Sequence, residues 1–167
     1  MKHILLFALL ASFMACTRSA SIYIVRHGER ANDSDTTSLS AAGHERAFAL
    51  AKRLEGLHLD TIFVTPYLRT QQTAAKVASL NALPFTQYPA APTSVLINRL
   101  ANLDDRRVLV VGHSNTILEI ARGLGTKPSM TKIEHSDYDN LLFIRIRHTL
   151  FGKRVHLYEE TYGKPTP

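Results

Sequence analysis

The chain has 167 residues, 45% of them hydrophobic and 20% charged, enough apolar material for one globular domain with a sizeable core. Its formal net charge is +6, yet the basic residues are scattered, with Arg106-Arg107 and Lys153-Arg154 the densest groupings. That pattern lacks the basic stripe or module of a nucleic-acid binder, so no nucleic-acid partner is expected, and it suits a surface that attracts phosphorylated small molecules.

The first sixteen residues form a separate object. Lys2 and His3 precede an apolar run from Ile4 to Met14, and Ala15 and Cys16 follow. A basic start, a short apolar core and small residues make the pattern of an export signal. The run is shorter than the roughly 20 apolar residues of a transmembrane helix. Cys16 is the single cysteine, which leaves the exported domain without a disulfide. Its place directly after the apolar run resembles the lipidation cysteine of bacterial lipoproteins. Residues 1–16 are therefore read as a signal with Cys16 as a lipidation site, 17–162 as a single domain, and 163–167 as a flexible tail. The expected location is the periplasm or envelope, with the protein lipid-anchored.

Ser21 to Val25 is an apolar, β-branched and aromatic run that predicts a buried strand, and it ends in Arg26-His27-Gly28. A strand that ends this way delivers a guanidinium and an imidazole to the sheet edge where ligands of open α/β sheets bind. The pair suits attack on a phosphoryl group, because arginine holds phosphate oxygens bidentately and a neutral ring nitrogen can attack phosphorus. Ala31 to Ser38 is polar and predicts a loop at the mouth of the site. Ser40 reads as the N-cap of a helix that turns Ala47, Leu50, Ala51, Leu54 and Leu57 toward the sheet.

Asp60 to Val64 predicts a second strand. Thr65 reads as an N-cap and Pro66 as the first residue of a helix running to about Leu80, which puts Arg69 in its first turn. The start of a helix that follows a parallel strand lies at the same edge as Arg26 and His27. Arg69 is thus expected beside them, where free backbone N–H groups also favour anions. A short strand is expected over 85–88 and a helix over 93–103 burying Val95, Leu96 and Leu100. Arg107 to Asn115 repeats the opening device, a buried strand ending in Gly112-His113-Ser114. A helix over 115–124 follows, with Gly125 as its stop. Leu141 to Arg147 and Arg154 to Tyr158 read as an alternating strand pair joined through Gly152. Strand and helix alternation followed by strands predicts a three-layer α/β/α domain with a mostly parallel sheet and an antiparallel edge.

Four ordered motifs carry a resemblance. Arg26-His27-Gly28-Glu29, the segment Leu39-Ser40 with Gly43 and Ala47, Thr65 to Ala74, and Gly112-His113-Ser114 resemble those of the histidine phosphatase superfamily, also called the phosphoglycerate mutase-like family. The resemblance implies that His27 is transiently phosphorylated and that Arg26, Arg69 and His113 bind the phosphoryl oxygens, with Ser114 also at the substrate. It implies no metal and no cofactor, and a small phosphorylated substrate. Family members commonly draw a proton donor from the segment after the second motif, but Asn81 to Asn102 contains no acid. Glu29 is the first candidate for that role, ahead of Asp33, Asp35, Asp137 and Asp139. Leaving groups that depart without a strong acid, such as those of acyl phosphates, phosphohistidine or pyrophosphates, would fit the gap. The connection is also too short for the cap that excludes water in family mutases, which favours hydrolysis. The alternative is a phosphate-ester binding or envelope interaction protein with little turnover. His44, His58, His135, His148 and His156 have no apparent catalytic partner.

Overall fold

The computed structural model describes residues 18–150 and 152–166; the expected signal segment and Cys16 lie outside them. Among the described residues, six strands and four helices alternate. They are β1 (Arg18–Arg26), α1 (Ala41–Arg53), β2 (Thr61–Val64), α2 (Leu68–Asn81) and β3 (Phe85–Gln87). The second half holds α3 (Ser94–Ala101), β4 (Arg107–Gly112), α4 (Ile117–Gly123), β5 (Asn140–Thr149) and β6 (Gly152–Thr161).

The strands form one sheet in the order β3-β2-β4-β1-β5-β6. β3, β2, β4 and β1 pair in parallel, while β5 and β6 add the antiparallel edge. The fold is the α/β layering expected, and its strands read as continuous apolar runs because helices cover both faces. Ile22, Ile24, Val108 and Val110 pack against Leu96, Leu100, Ile117 and Ile120 on one side. Tyr23, Val25, Leu109 and Val111 alternate to the other side and meet Leu50, Leu54, Ala74 and Val77. None of the described helices is long and apolar enough to cross a membrane.

Local details differ from expectation in four places. Ser40 caps α1, accepting from Gly43 N at 3.1 Å, but Thr65 does not cap α2. That helix starts at Leu68 after Tyr67 with no side-chain cap, because the Thr65 hydroxyl is engaged with Thr70, 2.9 Å away. Val95 is 66% exposed: α3 spans only eight residues, and the stripe through Leu96 and Leu100 turns its neighbour outward. The last sheet-flanking helix begins at Ile117, since Thr116 N and Ile117 N both turn back to His113 O; Gly125 does follow its end, at φ 93°. The tail is held down. Thr166 N donates to Asp139 Oδ2 at 3.1 Å, Tyr138 N to Thr166 Oγ1 at 3.0 Å, and Arg46 Nη2 to Lys164 O at 3.0 Å.

Candidate active site

The parallel pairing of β1 with β4 builds the centre of the site. Arg26 is in register with Gly112, so the next residue on each strand, His27 and His113, meets across the strand ends. Their rings lie edge to face with centroids 5.3 Å apart. His27 N donates to Gly112 O at 3.0 Å, which ties the two turns together. The close approach of β1 to α1 makes the turn after His27 possible. A Cβ on Gly28 would stand 2.8 Å from Gly43 O, and one on Gly43 only 2.3 Å from Glu29 O.

Arg26, His27, Arg69, His113 and Ser114 line one cavity of about 300 Å³, together with Arg30, Tyr67, Asn115, Thr116 and His135. Residues separated by more than 80 positions thus converge on one open space, with room for a phosphoryl group and part of the molecule that carries it. Each guanidinium is oriented by stacking and by backbone. Arg26 lies over the Tyr138 ring at 3.9 Å, and its Nη1 donates to the carbonyls of Glu134, His135 and Asp137. Arg69 lies over the Tyr67 ring at 4.3 Å, and its Nη1 donates to Asp35 O at 2.8 Å. The Nε of both arginines is buried with no hydrogen-bond partner in the protein.

The two imidazoles are kept neutral. Burial is the main cause pulling the His27 pKa down to about 3, with His113, Arg26 and Arg69 adding to it. His113 is pulled down to about 4, again chiefly by burial and then by Arg69 and Arg26. His27 Nδ1 is 2.7 Å from Gly28 O. A carbonyl only accepts, so Nδ1 carries the proton and Nε2 keeps its lone pair. His113 Nε2 is 3.0 Å from Thr65 Oγ1, and His113 N donates to Thr116 Oγ1 at 3.0 Å, so both ends of this residue are fixed.

Glu29 does not reach the cavity. Both its oxygens accept from Arg46, with Nη2 to Oε1 at 2.7 Å, so the expected proton donor is committed to an ion pair behind the turn. Among the described residues, no carboxylate lines the cavity. Asp33 pairs with Arg30, Asp137 accepts from Thr166 and Asn140, and Asp139 holds Thr166 N. Asp35 contributes its backbone carbonyl, to Arg69.

Four residues of the site were not singled out in the sequence. Arg30, three residues after His27, lines the cavity and donates to His135 Nε2 at 2.8 Å. His135 is therefore not an isolated surface histidine, because Arg26 pulls its loop across the strand ends. Tyr67 precedes Arg69 by two residues, a signal that was available. Tyr138 had none, being brought in only by the antiparallel edge. Among the described residues, no group of three or more His, Cys, Asp or Glu could hold a metal ion.

The family model described as histidine phosphatase superfamily (branch 1) matches residues 22–90, the segment that carries Arg26, His27 and Arg69. An uncharacterised protein of Picosynechococcus sp. is 31% identical over 118 residues, which cover 62% of this chain and 72% of that protein. The chain belongs to the histidine phosphatase superfamily. His113 lies beyond the matched segment, joined to it by the β1–β4 register. Solved structures share the fold of this histidine phosphatase. A mycobacterial glucosyl-3-phosphoglycerate phosphatase aligns with a TM-score of 0.62 at 15% identity, covering 87% of this chain and 100% of that one. The protein histidine phosphatase SixA, complexed with tungstate, aligns at 0.58 and 20% identity, covering 84% and 96%. As a superfamily member the chain is a phosphoric ester hydrolase.

Proposed function

We propose that this histidine phosphatase hydrolyses a small phosphorylated compound, without a metal, through a phosphohistidine on His27. The observation that carries the reading is a neutral His27 whose proton is held at Nδ1 by Gly28 O, inside a cavity with two oriented guanidiniums. The Nε2 lone pair attacks phosphorus, and the electron pair of the broken bond, P–O in an acyl phosphate or pyrophosphate and P–N in a phosphohistidine, leaves with the departing oxygen or nitrogen. Arg26, Arg69 and His113 hold the phosphoryl oxygens as charge redistributes, with Ser114 at the cavity wall. Water then attacks the phosphohistidine, the P–N bond pair returns to Nε2, and inorganic phosphate departs. Because no carboxylate among the described residues lines the cavity, the substrates that fit best carry leaving groups needing no strong acid: acyl phosphates, phosphohistidine or pyrophosphates.

The test is to trap acid-labile, base-stable phosphate on the protein from such donors and to map it. Wild type should carry it on His27 and turn substrate over, and His27→Ala should do neither. Phosphate binding with no turnover on a broad panel would favour the second reading, a phosphate-ester binder, which the missing proton donor motivates. We also infer from the basic start, the apolar run and Cys16 that the enzyme works outside the cytoplasm on a lipid anchor. A Cys16→Ser variant should then leave the membrane fraction on cell fractionation, and its retention there would remove the lipid anchor from the reading.

A further inference from the structure

At the opposite end of the sheet, arginines outnumber the carboxylates beside them. In the β1–β5–β6 register, Ser19 is opposite Arg147 and Arg147 opposite Arg154, while Ser21 is opposite Arg145 and Arg145 opposite His156. Directly opposed residues project from the same face, so Arg145, Arg147, Arg154 and His156 share one, and Arg147 faces Arg154 like charge to like charge. Such a pairing is destabilising unless something anionic covers it. The face continues into a cleft of about 870 Å³ lined by four arginines, Arg106, Arg107, Arg145 and Arg147, and by two acids, Asp60 and Asp105.

The two acids of the cleft, and those near it, already have partners. Asp60 accepts from Arg106 Nη1 and Arg107 N, and Asp105 accepts from Ser19 N. Asp104 pairs with Arg18, and Glu160 with Arg53. Among the described residues, Arg107, Arg145, Arg147 and Arg154 make no salt bridge. Arg147, Arg154 and His156 are exposed.

The chain enters at this same edge. β1 begins at Arg18, two residues after Cys16 and shortly beyond the apolar run Ile4 to Met14. Resting on the lipid-anchor reading of Cys16, we propose that this cleft and its arginine row dock on anionic phospholipid headgroups. A membrane surface fits better than a small soluble anion because the cations run from the cleft onto the open face of the edge strand, beside the tether. β1 then stands between membrane and pocket. From Arg18 to Arg26 it makes eight steps of about 3.3 Å, holding the catalytic cavity roughly 26 Å away. The consequence is a substrate taken from the aqueous side rather than a headgroup of the same bilayer.

The test uses the full chain and vesicles of phosphatidylcholine, with and without phosphatidylglycerol. The apolar segment contributes to both, so the ratio of the two affinities is the readout. Wild type should prefer the anionic vesicles, and raised salt should erase the preference. Arg145→Gln with Arg147→Gln should cut the ratio about 30-fold, since each surface arginine contributes about a factor of five to six. Arg147→Gln with Arg154→Gln, both at exposed positions, should do the same and excludes misfolding through loss of the Arg145 contact with Phe143. An unchanged ratio in both variants, or none in wild type, would overturn the proposal. So would its loss to inorganic phosphate at matched ionic strength, which would make the cleft a small-anion site.

Discussion

His27 is 3% exposed and His113 8%, and that burial decides how both behave with pH. An ordinary histidine gains its proton near pH 6.5, whereas these two resist until about 3 and 4. The unfolded chain therefore binds more protons than the native one as pH falls below 6.5. The stability these residues leave intact above that value is lost progressively between pH 6.5 and about 3, by on the order of several kcal/mol. Denaturant unfolding at pH 7 and pH 4.5 should show the fall, and His27→Asn should make it shallower. The ring resonances of His27 followed by NMR should stay those of a neutral imidazole down to pH 5, and a midpoint near 6.5 would remove the basis for a permanently available Nε2.

Among the elements, the pair of glycines where β1 meets α1 is the tightest constraint. Ser40 N donates to Glu29 O at 2.9 Å, locking the helix start onto the turn that follows His27, and Gly43 is where a side chain has no room. Gly43→Ala puts a Cβ against backbone, which cannot swing aside, and should destabilise by roughly 1–3 kcal/mol. Since the displaced element carries the His27-Gly28 turn, kcat/KM should fall along with Tm; a full-rate variant with a lowered Tm would show that the turn tolerates the shift. The same scale explains the Thr65-to-Thr73 segment. Thr65 supports the ring of His113, Thr73 Oγ1 accepts from Gly28 N at 2.9 Å, and Arg69 enters the cavity between them. One short stretch thus touches both histidine turns.

For the whole molecule, Arg46 joins the beginning and the end of the chain. It is 4% exposed and holds the Glu29 carboxylate with one part of its guanidinium and the carbonyls of Tyr162 and Lys164 with the rest. Arg46→Met removes the cation while leaving Glu29 in place, and breaking a buried pair this way costs about 3–5 kcal/mol. Denaturant unfolding should show that loss, and Glu29→Gln in the same background should recover part of it, because the stranded charge is then gone. The tail from Tyr162 onward should become open to proteolysis in Arg46→Met. A tail already cleaved in wild type would mean these contacts do not hold it.

Periodicity and motif order in the chain were enough to read the layered fold, the parallel core and which charged side chains meet at the strand ends. Ser21 to Val25 and Arg107 to Val111 are strands on apolar run alone, and Arg-His-Gly at one strand end and Gly-His-Ser at another can serve only the edge where those strands finish. The role of each charged side chain was decided in three dimensions. Glu29, two residues after His27, reads as a proton donor until Arg46, seventeen residues on, takes both its oxygens. His135 reads as an isolated residue until Arg26 holds its carbonyl and Arg30 its ring at the exposed rim of the cavity. The tail reads as free until Asp139 and Arg46 bind it. Hydrophobic burial depends on local spacing and is written along the chain, whereas a charge takes its function from whichever partner the fold brings within a few ångströms, and that partner is usually far away in sequence.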